Sequence, residues 1–405
     1  MGINKYFPFA VIYFFLNFLG LPLGLTYTAI LSPFLYYWVV VTRKKEIMWP
    51  FLLVILPFVV VQILVGVELK TYFVSFLYIT TVYIFCQAFY TFLVCCKDIE
   101  NIFKKLVILN FIFCLIAIPL YFTDYYDILW IKQFLTQGVD EFKRFKLFSY
   151  EASYYATQFA PLFFYYFLKV NLSQNKKSSW LILLMILLPY LLSFSMGVLS
   201  CILISILIMY TVMFRYIGRK IRFWNIAFFV LASFLSLFLI LLVFFPGNPL
   251  FIRLNNIVTG NDSSGKGRTS EAFYLGYKIL QLKNMFFGIG PGQVKVIGAN
   301  IIRDYYSYPA DYAVISIPNS TAETLAIFGV LGLLIRMLVE VILFFYTRVW
   351  TNYYRLLLFL FIFFYQFTGS FITNLAEYVL WIMAFTKIFP QFDVQKNHLK
   401  RLKSE

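Results

Sequence analysis

Two short segments hold most of the side chains that could do chemistry. The first reads Arg144-Phe-Lys-Leu-Phe-Ser-Tyr-Glu151-Ala-Ser153. Glu151 enters a long apolar run about one helical turn deep, and Gln158 follows it. A charge at such a depth costs ~2.5–3.5 kcal/mol on insertion scales and marks functional pathways more often than chance. The structural alternative is a snorkelling Glu151 clamped to Arg144 at the membrane interface.

The second segment opens at Pro246, passes Arg253, and becomes glycine-rich at Thr259-Gly-Asn-Asp262-Ser-Ser-Gly-Lys266-Gly-Arg268. From Thr269 to Asn284 an amphipathic helix is expected, because Ala272, Leu275, Ile279 and Leu282 recur at helical spacing. Arg268 would then stand at the helix start, with Glu271 one turn on. Backbone amides at a helix start face outward and carry partial positive charge, so an anion there meets two attractions. A guanidinium adds a planar pair of donors matched to phosphate oxygens. The competing reading is a helix resting on the bilayer, with Arg268 against lipid headgroups.

Beyond that helix, Gly288-Ile-Gly290-Pro-Gly292 predicts a tight turn. It is not a dinucleotide fingerprint, which follows a strand and opens a helix. Arg303, Asp304 and Asp311 come next. Asn319 and Glu323 are expected on one helical face, either as a cap with interhelical hydrogen bonds or as substrate contacts. Arg336 and Glu340, four apart, read as a structural pair. Glu377, at the last outer turn, is a further candidate for the same vestibule. Tyr125, Tyr150, Tyr154, Tyr305 and Tyr308 fit an aromatic belt; stacking on sugar rings is a second use.

Membrane helices must position these residues. The chain has 405 residues, 62% hydrophobic and only 13% charged, with mean hydropathy +0.81. A soluble domain is roughly a quarter charged, so the expected fold is an all-α polytopic membrane protein, with 1–405 a single integral membrane domain. Apolar runs predict twelve spans, at 6–22, 26–42, 47–66, 71–96, 104–123, 150–169, 180–196, 198–214, 223–245, 320–346, 356–371 and 374–390. The first has no evident cleavage site and is not read as a removable signal. Lys and Arg concentrate between spans on the side of the N-terminus, which places both termini in the cytoplasm. Most of the net charge of +16 is therefore topological.

Two outer loops, 124–149 and 246–319, hold most of the remaining basic residues, and a loop as long as the second is usually functional. The single histidine, His398, lies in the polar C-terminal tail. Histidine metal sites and histidine relays are thereby excluded as the core chemistry. The five cysteines sit in apolar runs without zinc-site spacing.

Arg268-Thr-Ser-Glu-Ala-Phe…Asn284-Met-Phe-Phe-Gly288-Ile-Gly290-Pro-Gly292 resembles the Arg…Pro-Leu-x-Gly-x-Gly segment of the large periplasmic loop in the O-antigen polymerase and ligase superfamily. Asn319-Ser-Thr-Ala-Glu-Thr-Leu-Ala-Ile-Phe-Gly329-Val-Leu-Gly332 is similar to the His-Asn-x-x-Leu…Gly-x-x-Gly segment that follows it. Arg144…Phe148-Ser-Tyr-Glu151-Ala-Ser153 resembles the Arg…Phe-x-Glu-Pro-Ser segment of Wzy-type polymerases. Two departures favour polymerase over lipid A-core ligase: Pro318 stands where ligases commonly carry histidine, and Ser195-Met196-Gly197 replaces a Ser-Arg-Gly pattern.

The resemblance implies glycosyl transfer between undecaprenyl-pyrophosphate carriers in the bacterial inner membrane. The expected partners are those lipid-linked glycans, membrane lipids, a chain-length regulator and a flippase, and not nucleic acid. Arg268, with Arg144, Arg253 or Arg303, would neutralise the departing pyrophosphate without metal or other cofactor. Glu151 would orient or deprotonate the acceptor hydroxyl. Glu271, Asn319 and Glu323 would line the substrate site. Two alternatives stand beside this: ligase-type transfer to a lipid or protein acceptor, and a polysaccharide transporter or flippase. The latter expects midplane charge and broken or repeated helices.

Overall fold

The computed structural model describes residues 5–17, 26–133, 141–172, 177–217, 252, 255–256, 259, 262–309 and 315–394; Arg253, Asp311, His398 and the expected 223–245 span lie outside them. Helices form along the apolar runs. The first stretch holds α1 (Phe7–Val11, continued by a π-helical turn), α2 (Tyr27–Ile30), α3 (Ser32–Tyr37), α4 (Met48–Val65), α5 (Leu69–Cys95) and α6 (Ile99–Leu120). The middle holds α7 (Ala152–Leu172), α8 (Lys177–Ser193) and α9 (Met196–Ile217). After it come α10 (Ser263–Arg268), α11 (Ser270–Leu280), α12 (Ala299–Tyr306), α13 (Ser320–Tyr346), α14 (Tyr353–Tyr365) and α15 (Leu375–Phe385).

Among the described residues, α4, α5, α6 and α13 are long and apolar enough to cross a membrane. They leave large side chains such as Leu53, Leu64, Leu77, Leu338 and Ile342 exposed. Apolar surface on that scale belongs against lipid, not water.

The chain is not wholly helical. Within the 124–149 segment, β1 (Trp130–Gln133) and β2 (Phe142–Phe145) pair antiparallel, with Ile131 opposite Arg144. Trp130 and Phe145 turn inward and are buried, and the Trp130 indole donates to the Ala117 carbonyl at 2.7 Å. Lys143 donates to the Tyr121 carbonyl at 2.7 Å and lies 4.0 Å from the Tyr126 ring. Two four-residue strands leave only a brief alternation in sequence, too short to separate from a loop.

Two hydrophobic cores organise the molecule. The larger joins α1, α5, α6, α7, α8, α9, α14 and α15. At its centre α7 is buried on nearly every side, as a helix apolar all round must be. The smaller core joins α4, α11, α12 and the first part of α13. The amphipathic face of α11 thus packs on protein: Gly276 sits so close to α13 that a Cβ there would lie 2.8 Å from the Ala322 carbonyl oxygen. The apolar face of α11 is thus not left for the bilayer, as the competing reading of a helix resting on lipid required.

Helix α13 is broken at Gly329, whose φ of 68° and ψ of −169° leave the helical region. The glycine-rich turn fills the break with its own backbone. Ile289 and Gly290 donate to the carbonyls of Ala326 and Ile327, each at 3.0 Å, and Val330 and Leu331 donate to those of Met285 and Phe286, each at 3.1 Å. The buried Gln62 of α4 donates to the Phe287 and Ile327 carbonyls at 2.6 and 3.0 Å. The Ala326 and Ile327 carbonyls and the Val330 and Leu331 amides at the break therefore find protein partners, as irregular backbone within an apolar layer requires.

Beyond the break, Arg336 ties three helices together. It pairs with Glu340 at 3.3 Å and with Glu377 of α15, and donates to the Gln366 side chain of α14 at 2.8 Å and to the Thr324 hydroxyl at 2.9 Å. The expected Arg336–Glu340 pair is present. Glu377, expected at an outer vestibule, is instead 1% exposed inside this cluster.

Candidate functional site

Glu151 and Arg268 face one another across the junction of the two cores. Glu151 precedes the first turn of α7, from the larger core; Arg268 ends α10, which leads into the smaller. Their side chains approach to 3.7 Å, with 25% and 34% of each exposed. That distance makes an ion pair but is too long for a hydrogen bond. Among the described residues the Arg268 guanidinium makes no hydrogen bond, whereas Glu151 accepts one from the Ser153 hydroxyl at 2.8 Å. Tyr154 and Tyr365 lie within electrostatic reach of the pair.

The spacing puts Arg268 at the start of the amphipathic helix, but in the structure it ends the short helix before it. The glycine-rich stretch forms the single-turn α10, and α11 starts at Ser270 after a non-helical Thr269. What positions Arg268 is Asn319. Its side-chain amide donates to the Arg268 carbonyl at 2.8 Å and to the Phe367 carbonyl at 2.7 Å, while its oxygen caps α13 by accepting from Ala322 at 2.9 Å. One buried side chain thus fixes the end of α10, the start of α13 and the exit from α14.

The other expected residues are used differently. Arg144 donates to the Ser193 carbonyl at the end of α8 and to Gln133, both at 3.0 Å. A guanidinium there satisfies a carbonyl that the helix end leaves open. The partner Glu151 finds is Arg268, not the Arg144 close by in sequence. Glu323 accepts from the Ile372 amide at 2.7 Å and so holds the turn between α14 and α15. Glu271 accepts from the Tyr306 hydroxyl at 3.0 Å, beside Gly267. Burial and that carboxylate push the Tyr306 phenol well above its ordinary range. Arg303 stands on α12, its Nε buried without a hydrogen-bond partner among the described residues.

Close to Glu151, and sharing Tyr150 and Tyr154 with its helix start, is a cleft of about 230 Å³. Asn17 in its wall, like Gln62 and Gln366, belongs to no motif that singles it out in the sequence. All three are lone amides inside apolar runs, and that isolation is the signal that could have found them.

The site offers a partly exposed guanidinium whose ion-pair partner among the described residues is the Glu151 carboxylate, 3.7 Å away. An incoming anion can take that guanidinium and leave the carboxylate for a proton-bearing group. No known family model matches this chain, and no curated protein matches it significantly.

Proposed function

We propose that this chain is a polymerase that joins undecaprenyl-pyrophosphate-linked oligosaccharide repeats into a surface polysaccharide. It would work on the outer face of the bacterial inner membrane, with twelve spans and both termini cytoplasmic. The observation that carries this reading is the Glu151–Arg268 pair, assembled from the two segments expected on that face. A donor pyrophosphate displaces Glu151 from Arg268. The freed carboxylate takes the proton of the acceptor hydroxyl as its oxygen bonds to the donor's anomeric carbon. The bond from that carbon to the pyrophosphate breaks, and the leaving oxygen keeps the electron pair beside Arg268. Charge placed in advance at a leaving group costs no reorganisation when the charge arrives.

The broken α13 and the buried Arg336 cluster favour a second reading, transport, since discontinuous helices and intramembrane charge mark transporter sites. Against it, the break is filled by the chain's own backbone at Ile289 and Gly290, so no substrate space opens there.

Deletion of the gene and gel analysis of surface glycan separates the readings. Single-repeat products support the polymerase. Full-length glycan left on its lipid carrier indicates a ligase, and repeats trapped on the inner face a transporter. Arg268→Ala and Glu151→Gln should each slow chain growth by ~10²–10³ if they lose one preorganised contact. Full activity in both, with normal membrane insertion, would overturn the assignment.

A further inference from the structure

The cleft beside Glu151 has a composition of its own. Asn17, Thr28, Tyr78, Tyr154, Phe371 and Thr373 contribute to its wall, drawn from segments far apart in the chain. No charged side chain lines it among the described residues. Asn17 is 1% exposed; its oxygen accepts from the Thr28 hydroxyl at 3.0 Å, but its amide nitrogen is buried without a hydrogen-bond partner among the described residues. A buried donor left unmade costs ~1–3 kcal/mol, so this one is poised for an acceptor brought by a ligand. The Tyr154 and Phe371 rings, 6.2 Å apart, give the wall two aromatic surfaces.

These features select a ligand class. A lipid chain would leave the Asn17 donor unpaired. A phosphate or a carboxylate would be buried with no cation in the wall, at high cost. A neutral ring with hydroxyl or amide-carbonyl acceptors on its edge and C–H groups on its face satisfies both kinds of surface. At about 230 Å³ the space is below the usual span for drug-sized ligands, ~300–1,000 Å³, and suits a single ring.

We infer that this cleft seats one uncharged monosaccharide unit of the glycan, with Asn17 donating to a ring hydroxyl or N-acetyl oxygen and Tyr154 placing that unit next to Glu151. The inference rests on the glycan reading above and adds to it a specificity: neutral sugar in this subsite, uronic acid excluded.

The test is saturation-transfer NMR on the full chain in lipid nanodiscs, with methyl glycosides of glucose, galactose and N-acetylglucosamine and with methyl glucuronide as probes. At least one neutral probe should receive saturation, with glucuronide weaker by about tenfold or more in Kd. Asn17→Leu should weaken the neutral probe about tenfold. Thr373→Trp, which plugs the cleft from its exposed rim and spares the interior, should do the same. Absence of transfer from every neutral probe, equal binding of glucuronide, or undiminished binding in Thr373→Trp each overturns the inference. Because free sugars bind without chain growth, the two readings fail separately. Loss of chain growth on gene deletion without sugar binding removes only the cleft; sugar binding with normal glycan after deletion removes only the polymerase.

Discussion

Gly288 and Gly329 touch backbone to backbone. A Cβ on either would lie 2.6 Å from the other's amide nitrogen, and also 2.3 Å from the Ile327 carbonyl oxygen for Gly288 or 2.4 Å from that of Phe286 for Gly329. Both have positive φ, 74° and 68°. The turn can enter the α13 break only because neither residue carries a side chain.

Gly288→Ala and Gly329→Ala should therefore each be destabilising by about 2–5 kcal/mol, combining left-handed strain with overpacking against backbone that cannot move aside. Gly197 is the control. It lies in α9 with nothing within 4 Å of its added Cβ. Gly197→Ala should be neutral or stabilising by up to about 1 kcal/mol. Thermal unfolding of the three variants in one detergent compares them directly; similar midpoints for all three would refute the docked-turn account.

The Arg336 cluster yields a second expectation. Arg336→Met leaves Glu340 and Glu377, 4% and 1% exposed, without their cation. Breaking one side of a buried ion pair costs about 3–5 kcal/mol, whereas replacing the whole set with neutral groups is often tolerated. The triple variant Arg336→Met, Glu340→Gln, Glu377→Gln should thus unfold at a higher temperature than Arg336→Met alone. A triple variant less stable than the single one would show that the network contributes more than charge balance.

The helices could be read from the chain because each long apolar run is bounded by charges and caps, as Glu68 and Cys96 bound α5. The glycine turn was recognisable as a turn, but its purpose was not. A pattern such as Gly329-Val-Leu-Gly332 is common in membrane helices, and only the arrival of a distant backbone turns it into a break. Partner choice was hidden for the same reason: Arg144 is the near neighbour of Glu151 in sequence, yet the fold hands Arg144 to Ser193 and brings Arg268 from another core. Glu377 follows an outer turn in sequence and still points into the bundle, because Arg336 offers it a partner there.

Asn319 separates positioning from charge. Asn319→Ser keeps an oxygen able to cap α13 but loses the donations to the Arg268 and Phe367 carbonyls. Chain growth should fall in this variant, with the unfolding midpoint lowered less than in Asn319→Ala, where the cap worth about 1 kcal/mol is lost as well. Wild-type chain growth in Asn319→Ser, measured as initial rate on lipid-linked repeats, would show that Arg268 is held by other means.

Glu68 gives the structure a pH dependence of known sign. It caps α5, and hydrogen bonds from the Thr71 hydroxyl and amide, with a further one from the Lys70 amide, hold its carboxyl below the ordinary value of 4.5. Gln293 meets the same corner, where its side chain accepts from the Glu68 amide at 3.0 Å and donates to the Glu68 carbonyl at 3.1 Å, linking the cap to the glycine turn. A group whose folded value is lowered stabilises fully above its unfolded value, and that contribution disappears as pH falls through the folded value. Glu68→Gln should accordingly unfold below the wild type at pH 7, and the gap between their midpoints should close as the pH is taken down through the range beneath 4.5. Paired melts at neutral and acidic pH decide it, since a gap that stays constant would mean that the carboxylate's charge plays no part in the cap.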